Sequence, residues 1–116
     1  MNEQVVIGID IGGQTTKCGV VDARGNVMAQ TVIRSDTFTE VEPYIASVAD
    51  ALKKIIADAD VEGNVRGIGV GAPNGNYYTG DIESAVNLTW GGTRTIHFAK
   101  MLSKAMGLLF NSFQLY

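Results

Sequence analysis

The chain reads as an α/β domain, a mixed sheet of five strands in the order βββαβαβ with helices packed on it. Three observations predict this. Short apolar runs with a period of two, closed by glycine, stand at the start of the chain and again past its middle. A 3.6-residue apolar stripe separates them, as an amphipathic helix requires. The 116 residues, 46% hydrophobic and 18% charged, are enough for one domain with a buried core. Two hairpins in series, followed by strands that alternate with helices, call for both antiparallel and parallel pairing in one sheet.

The first strand is Val5-Val6-Ile7-Gly8-Ile9-Asp10-Ile11, bounded by Gly12-Gly13. Val5, Ile7, Ile9 and Ile11 share one face, while Gly8, Asp10 and Gly12 share the other with Val6. One face can enter a core; the other is stripped of bulk around a single carboxylate. Lys17 to Asp22 makes the second strand, with turn chemistry at Ala23-Arg24-Gly25-Asn26, and Val27 to Arg34 makes the third. The helical stripe runs through Val41, Tyr44, Ile45, Val48, Leu52, Ile55, Ile56 and Ala59. Its start is set either by a capping box of Thr39 with Glu42 or by Pro43 at the first helical position. Arg66 to Gly71 forms the fourth strand, ending in Ala72-Pro73-Asn74-Gly75-Asn76. Tyr77 to Glu83 suggests a small hairpin turning at Thr79-Gly80-Asp81, and Asn87 to Gly92 a loop. A second helix is expected from about Thr95 to Met106, stopped by Gly107, and a fifth strand within Leu108 to Tyr116.

Composition narrows the function classes. A net charge of −3 gives non-specific nucleic-acid binding no electrostatic support. Cys18 is the one cysteine, which excludes an intrachain disulfide and fits a reducing compartment. No apolar run reaches the ~18–20 residues that a bilayer demands, and the opening Met-Asn-Glu-Gln carries no basic leader. A soluble cytoplasmic domain without a membrane partner is expected. His97 stands without a second His or Cys nearby, so zinc binding and Ser-His-Asp chemistry are poorly supported. Cys18 reads as a small core residue and Trp90 as a buried anchor.

Chemistry is best supported at Asp10-Ile11-Gly12-Gly13-Gln14-Thr15-Thr16-Lys17. Paired glycines let backbone N–H groups approach an anion, the threonine hydroxyls add donors, and Lys17 adds positive charge. A carboxylate at a strand end can hold Mg²⁺ through water, because Mg²⁺ keeps much of its hydration shell. The segment is neither a Walker A loop nor a dinucleotide fingerprint, and a strand follows it in place of a helix. The plain alternative is a glycine-rich hairpin with a solvated Asp. A second candidate is the strand end Gly69-Val70-Gly71-Ala72-Pro73-Asn74-Gly75, where small residues would let a ligand meet the main chain; the plain alternative there is a turn.

In order along the chain, Gly8 to Lys17, Gly67 to Gly75 and Asn87-Leu88-Thr89-Trp90 resemble the N-terminal domain of the ROK family (repressors, open reading frames, kinases), most closely its glucokinases. The resemblance covers about residues 4–107. It implies a ribonuclease-H-like, actin-like ATPase fold and phosphoryl transfer from ATP to the 6-hydroxyl of a hexose, expected to be glucose. It implies that Asp10 addresses Mg²⁺ through water and that Gly12, Gly13, Thr15, Thr16 and Lys17 surround the phosphate tail. Asn74, Gly75 and Asn87 would border the sugar.

The departures also carry expectations. Gln14 and Thr15 are inserted into the family's usual Gly-Gly-Thr-Lys spacing, and the family's zinc-binding Cys/His cluster is absent. The family's general-base Asp has no counterpart near Gln114-Leu115, and no carboxylate follows Glu83. Residues 1–116 are therefore expected to be a single N-terminal domain, without the family's second domain and short of its catalytic base, inactive alone and prone to self-association. Two rivals remain: a fragment of a sugar-responsive ROK-type regulator, which would need a DNA-binding domain elsewhere, and a non-catalytic module that pairs through its sheet edge.

Overall fold

The computed structural model describes residues 4–72, 81–83, 88–90, 95–107 and 113–115. Its centre is β1 (Val5–Ile11), which pairs antiparallel with β2 (Thr15–Asp22) and parallel with β4 (Val65–Gly71). Outside β2 lies β3 (Val27–Arg34), antiparallel to it, so the four long strands run β3-β2-β1-β4 in a mixed sheet. Burial alternates strictly along β1: Val5, Ile7, Ile9 and Ile11 are buried, and Val6, Gly8 and Asp10 are exposed. The period of two read from the sequence is thus realised with its apolar face inward.

The inward face is covered by α1 (Val41–Asp58), which buries Val41, Tyr44, Ile45, Val48, Ala49, Leu52, Ile55 and Ile56 among other residues. These positions fall three or four apart and make one stripe. Neither expected start signal operates. Glu40 is the N-cap and makes no side-chain capping bond, and Pro43 sits at the third helical position. Proline is harmless there because the first four helical N–H groups lack intrahelical acceptors. The helix ends through the left-handed Asp60 (φ 56°), and Val61 N–H donates to Ile56 C=O at 3.2 Å. The chain then returns to the sheet, with Val5 N–H donating to Asn64 C=O at 3.1 Å.

The second half of the domain departs from expectation in detail. A two-residue strand, β5 (Ile82–Glu83), pairs antiparallel with β6 (Thr95–Ile96), so residues 82–83 find their described partner downstream. The expected turn at Thr79-Gly80-Asp81 lies largely outside the described residues. Because Thr95 and Ile96 are held in that pair, α2 begins later, at Phe98, and runs to Met106 with Gly107 in the left-handed conformation (φ 69°) closing it. Phe98 and Leu102 are its buried residues. A three-residue strand, β7 (Phe113–Leu115), lies parallel to β4. No helix among the described residues is long and apolar enough to cross a membrane.

Candidate functional site

Among the described residues, the outward face of the sheet carries few large side chains where the first strand pair ends. Asp10 stands opposite Lys17 in the β1–β2 register and beside Gly71 in the β1–β4 register. Gly8 is likewise flanked by Gly19 and Gly69. Three strands therefore present glycine at neighbouring positions, and the result is an open trough of about 390 Å³ with Asp10 and Lys17 at one end. The Asp10 carboxylate leans over β4, since a Cβ placed on Gly71 would lie 3.9 Å from its Oδ1. Among the described residues, neither Asp10 nor Lys17 makes an ion pair.

The hairpin turn beside this carboxylate is tight. Gly12 N–H donates to Thr15 C=O at 2.9 Å, and a Cβ on Gly12 would come within 3.1 Å of that same oxygen. A side chain there would press on the backbone oxygen, so glycine fits the close approach with least adjustment. The turn is also tied to the end of β3, with Ser35 N–H donating to Gln14 C=O at 2.8 Å. Gly13 and Thr15 are half-buried at the tip, and Gln14 is exposed.

Thr16 is a correction. Alternation along β2 turns it inward, and it is fully buried. Its Oγ1 shares hydrogen bonds with Ser35 Oγ (2.7 Å) and Tyr44 OH (2.6 Å). Its hydroxyl lies within the core between Ser35 and Tyr44, on the face of the sheet away from Asp10 and Lys17, so the Thr16 side chain belongs to the support of the hairpin. Tyr44, read from the sequence only as an apolar position of the helical stripe, is the residue missed. A phenol within an otherwise aliphatic stripe was the available signal, because a buried tyrosine needs a partner for its hydroxyl. Burial pushes that hydroxyl far above its usual pKa, so it remains protonated.

Of the sugar-side candidates, Asn74, Gly75 and Asn87 lie outside the described residues. The residues following Asn87 are well placed: Leu88 and Trp90 are buried, and Thr89 Oγ1 donates to Phe38 C=O at 2.7 Å. Trp90 is stacked on Tyr44, with ring centroids 4.2 Å apart and planes 18° from parallel. It is an anchor, as the sequence reading held. Among the described residues, no group of three or more His, Cys, Asp or Glu side chains could hold a metal. The donor set is instead a lone outward carboxylate, which suits Mg²⁺ carried by phosphates and water better than a protein cage.

No family model matches the chain. It is 29% identical over 87 residues to the glucokinase of Streptomyces coelicolor, a match covering 74% of this chain and 26% of that protein. In fold it is similar to a ROK family glucokinase from Streptomyces griseus solved with glucose and AMPPNP, at a TM-score of 0.67 and 25% identity over 96% of this chain and 32% of that one. A ROK hexokinase from Thermus thermophilus superimposes with a TM-score of 0.75 at 23% identity, over 97% and 34% of the two chains. A ROK family transcriptional regulator homologous to the E. coli MLC protein also shares the fold, with a TM-score of 0.73 at 13% identity over 97% and 27%. The chain spans about a quarter of the curated glucokinase it matches. It resembles ROK sugar kinases over nearly its whole length, as a part of them.

Proposed function

We propose that this chain is the N-terminal domain of an ATP-dependent hexose kinase of the ROK type, glucokinase-like, which transfers a phosphoryl group to the sugar 6-hydroxyl. The observation that carries the reading is Asp10: an outward carboxylate over a glycine floor, opposite Lys17 and beside a Gly-Gly turn. Phosphoryl transfer depends chiefly on positioning and on neutralising charge. Asp10 would orient the hydrated Mg²⁺ of Mg-ATP, whose chemistry is to neutralise the phosphate oxygens. Lys17 would add charge, and Gly12, Gly13 and Thr15 would line the phosphate path. Asn74, Gly75 and Asn87 would meet the sugar, by likeness of motif. The sheet is taken to be the family's ribonuclease-H-like, actin-like sheet, with β7 as its fifth strand, in a cytoplasmic protein.

One part of the chemistry has no residue here. No Asp or Glu follows Glu83, so the general base expected after the fifth strand is not supplied by this chain. The relatives are about three times as long as this chain, and the adenosine and remaining sugar contacts are assigned to that further length. The regulator reading has one observation in its favour, the shared fold with a ROK transcriptional regulator; glucose binding without nucleotide binding would support it.

Asp10→Asn tests the kinase reading. Calorimetric titration with Mg-AMPPNP should show affinity reduced by about tenfold or more, the loss of one charge-assisted contact. The melting temperature should stay within about 3 °C, as for an exposed position with no ion pair. A sharp fall in stability with unchanged nucleotide affinity would make Asp10 structural.

A further inference from the structure

β3 ends in a second cation beside the Gly-Gly turn. Arg34 is its last residue and stands opposite Thr15, while Val32, two positions earlier, stands opposite Lys17. Gln30, Val32 and Arg34 are exposed, and the half-buried Thr31 and Ile33 alternate with them. Arg34 therefore shares the outward face with Lys17 and Asp10, which the same alternation exposes on β2 and β1. Diagonal neighbours on such a face lie about 7–8 Å apart, within reach of long side chains, so Arg34 and Lys17 can serve one ligand. The end of β3 is also fastened to the turn, because Ser35 N–H donates to Gln14 C=O.

The Arg34 side chain is held in place. Its Nε donates to Asp36 Oδ1 at 3.0 Å and its Nη2 to Oδ2 at 2.6 Å, a two-pronged pair that fixes the plane of the guanidinium. Among the described residues nothing bonds to Nη1, and the side chain is 61% exposed. The plain alternative is a surface bridge with no further role, and such bridges contribute little to stability. Two features favour more than that. The pair orients a planar donor fork, the geometry that matches phosphate oxygens, at the strand end fastened to the turn. Lys17, moreover, is a single charge set opposite Asp10, so a polyphosphate at the turn gains net side-chain attraction only from a further cation. We propose that Arg34, aimed by Asp36, is a second cation for the phosphate tail of the nucleotide, donating to phosphate oxygens from its free edge. Asp36 is then a positioning residue. This role rests on the kinase reading and adds both residues to it.

The test is calorimetric titration of the 116-residue chain with Mg-AMPPNP. Arg34→Gln should lower affinity about tenfold, the loss of one charge-assisted contact. Asp36→Asn should lower it about threefold, although it removes a negative charge and simple repulsion would give a gain. Added to Arg34→Gln, it should change nothing more, because Asp36 acts through Arg34. Arg24→Gln removes an exposed arginine at the opposite end of β2 and should leave affinity within about twofold. Melting temperatures should stay within about 3 °C of the wild type, as for an exposed ion pair. A structural bridge would lower the melting temperature and leave affinity unchanged, which overturns the proposal. Equal losses in Arg24→Gln and Arg34→Gln also overturn it, as a general effect of net charge. Tighter binding in Asp36→Asn overturns the role of Asp36. Unchanged affinity in Arg34→Gln beside a loss in Asp10→Asn overturns this role alone and spares the kinase reading. Failure of the wild type to bind Mg-AMPPNP overturns the kinase reading, and this role with it.

Discussion

Cys18 sits on the inward face of β2, 3% exposed, and burial raises its thiol from an ordinary 9.0 to about 11. The sign of the consequence follows from which state gives up the proton first. Above pH 9 the unfolded chain ionises while the folded thiol remains protonated, so stability present below that pH is lost as pH climbs towards 11. At full extent the loss is about 2–3 kcal/mol. Urea unfolding at about pH 8 and about pH 10.5 should show the wild type losing more stability than Cys18→Ala, in which this ionisation is gone. Parallel losses in the two proteins would place the alkaline sensitivity elsewhere. Cys18 and Thr16 lie on the same inward face of one strand, yet only the first could be read from sequence. A small apolar side chain needs only alternation to be placed. A hydroxyl is placed by its partners, and Ser35 and Tyr44 lie 19 and 28 residues away.

Among the elements, those with a long periodic signal were legible and those made by short-range pairing were not. The stripe of α1 and the alternation of β1 each repeat often enough to fix a face, and the outward glycines that frame Asp10 follow from the same alternation. The strands β5 and β6 contain two residues each, too few to show a period, and their pairing displaced the start of α2 to Phe98. The start of α1 eluded prediction for a different reason: two plausible caps competed, and Glu40, which makes no capping bond, took the position. A helix without a side-chain cap depends on its buried stripe, and Leu52, fully buried at its middle, should be sensitive. Leu52→Ala is expected to cost about 2–5 kcal/mol by chemical denaturation. A cost below about 1 kcal/mol would mean that α1 is held by something other than its apolar face.

For the molecule as a whole, the decisive fact is that, among the described residues, α1 covers one face of the sheet and no element covers the other. The 116-residue chain should show no hexokinase turnover in a coupled glucose-6-phosphate assay. A general base contributes about 10²–10⁴-fold, and no carboxylate after Glu83 is present to act as one. Turnover in the range of ~1–10³ s⁻¹ would show that the chain supplies its base from elsewhere. The uncovered face leads to the other whole-molecule expectation, that the chain associates with itself. Val6, Val27 and Val32 are 48–57% exposed, and Met28 is 38% exposed. Three of these four lie on β3, which is the edge of the sheet. An edge strand with outward valines offers both an unpaired row of backbone groups and apolar surface, the combination that favours pairing with a second copy. The net charge of −3 spread over 116 residues gives little repulsion to oppose it. Size-exclusion chromatography with light scattering, over about a tenfold range of concentration, should reveal a dimer that grows with concentration. Lys placed at Val27 and Val32 (Val27→Lys with Val32→Lys) should restore the monomer, because lysine on an edge strand blocks a second strand without disturbing the inward face. A monomer at every concentration in the wild type would show that the edge is protected already. A dimer that survives both lysines would move the contact from the edge to the glycine-floored trough around Asp10.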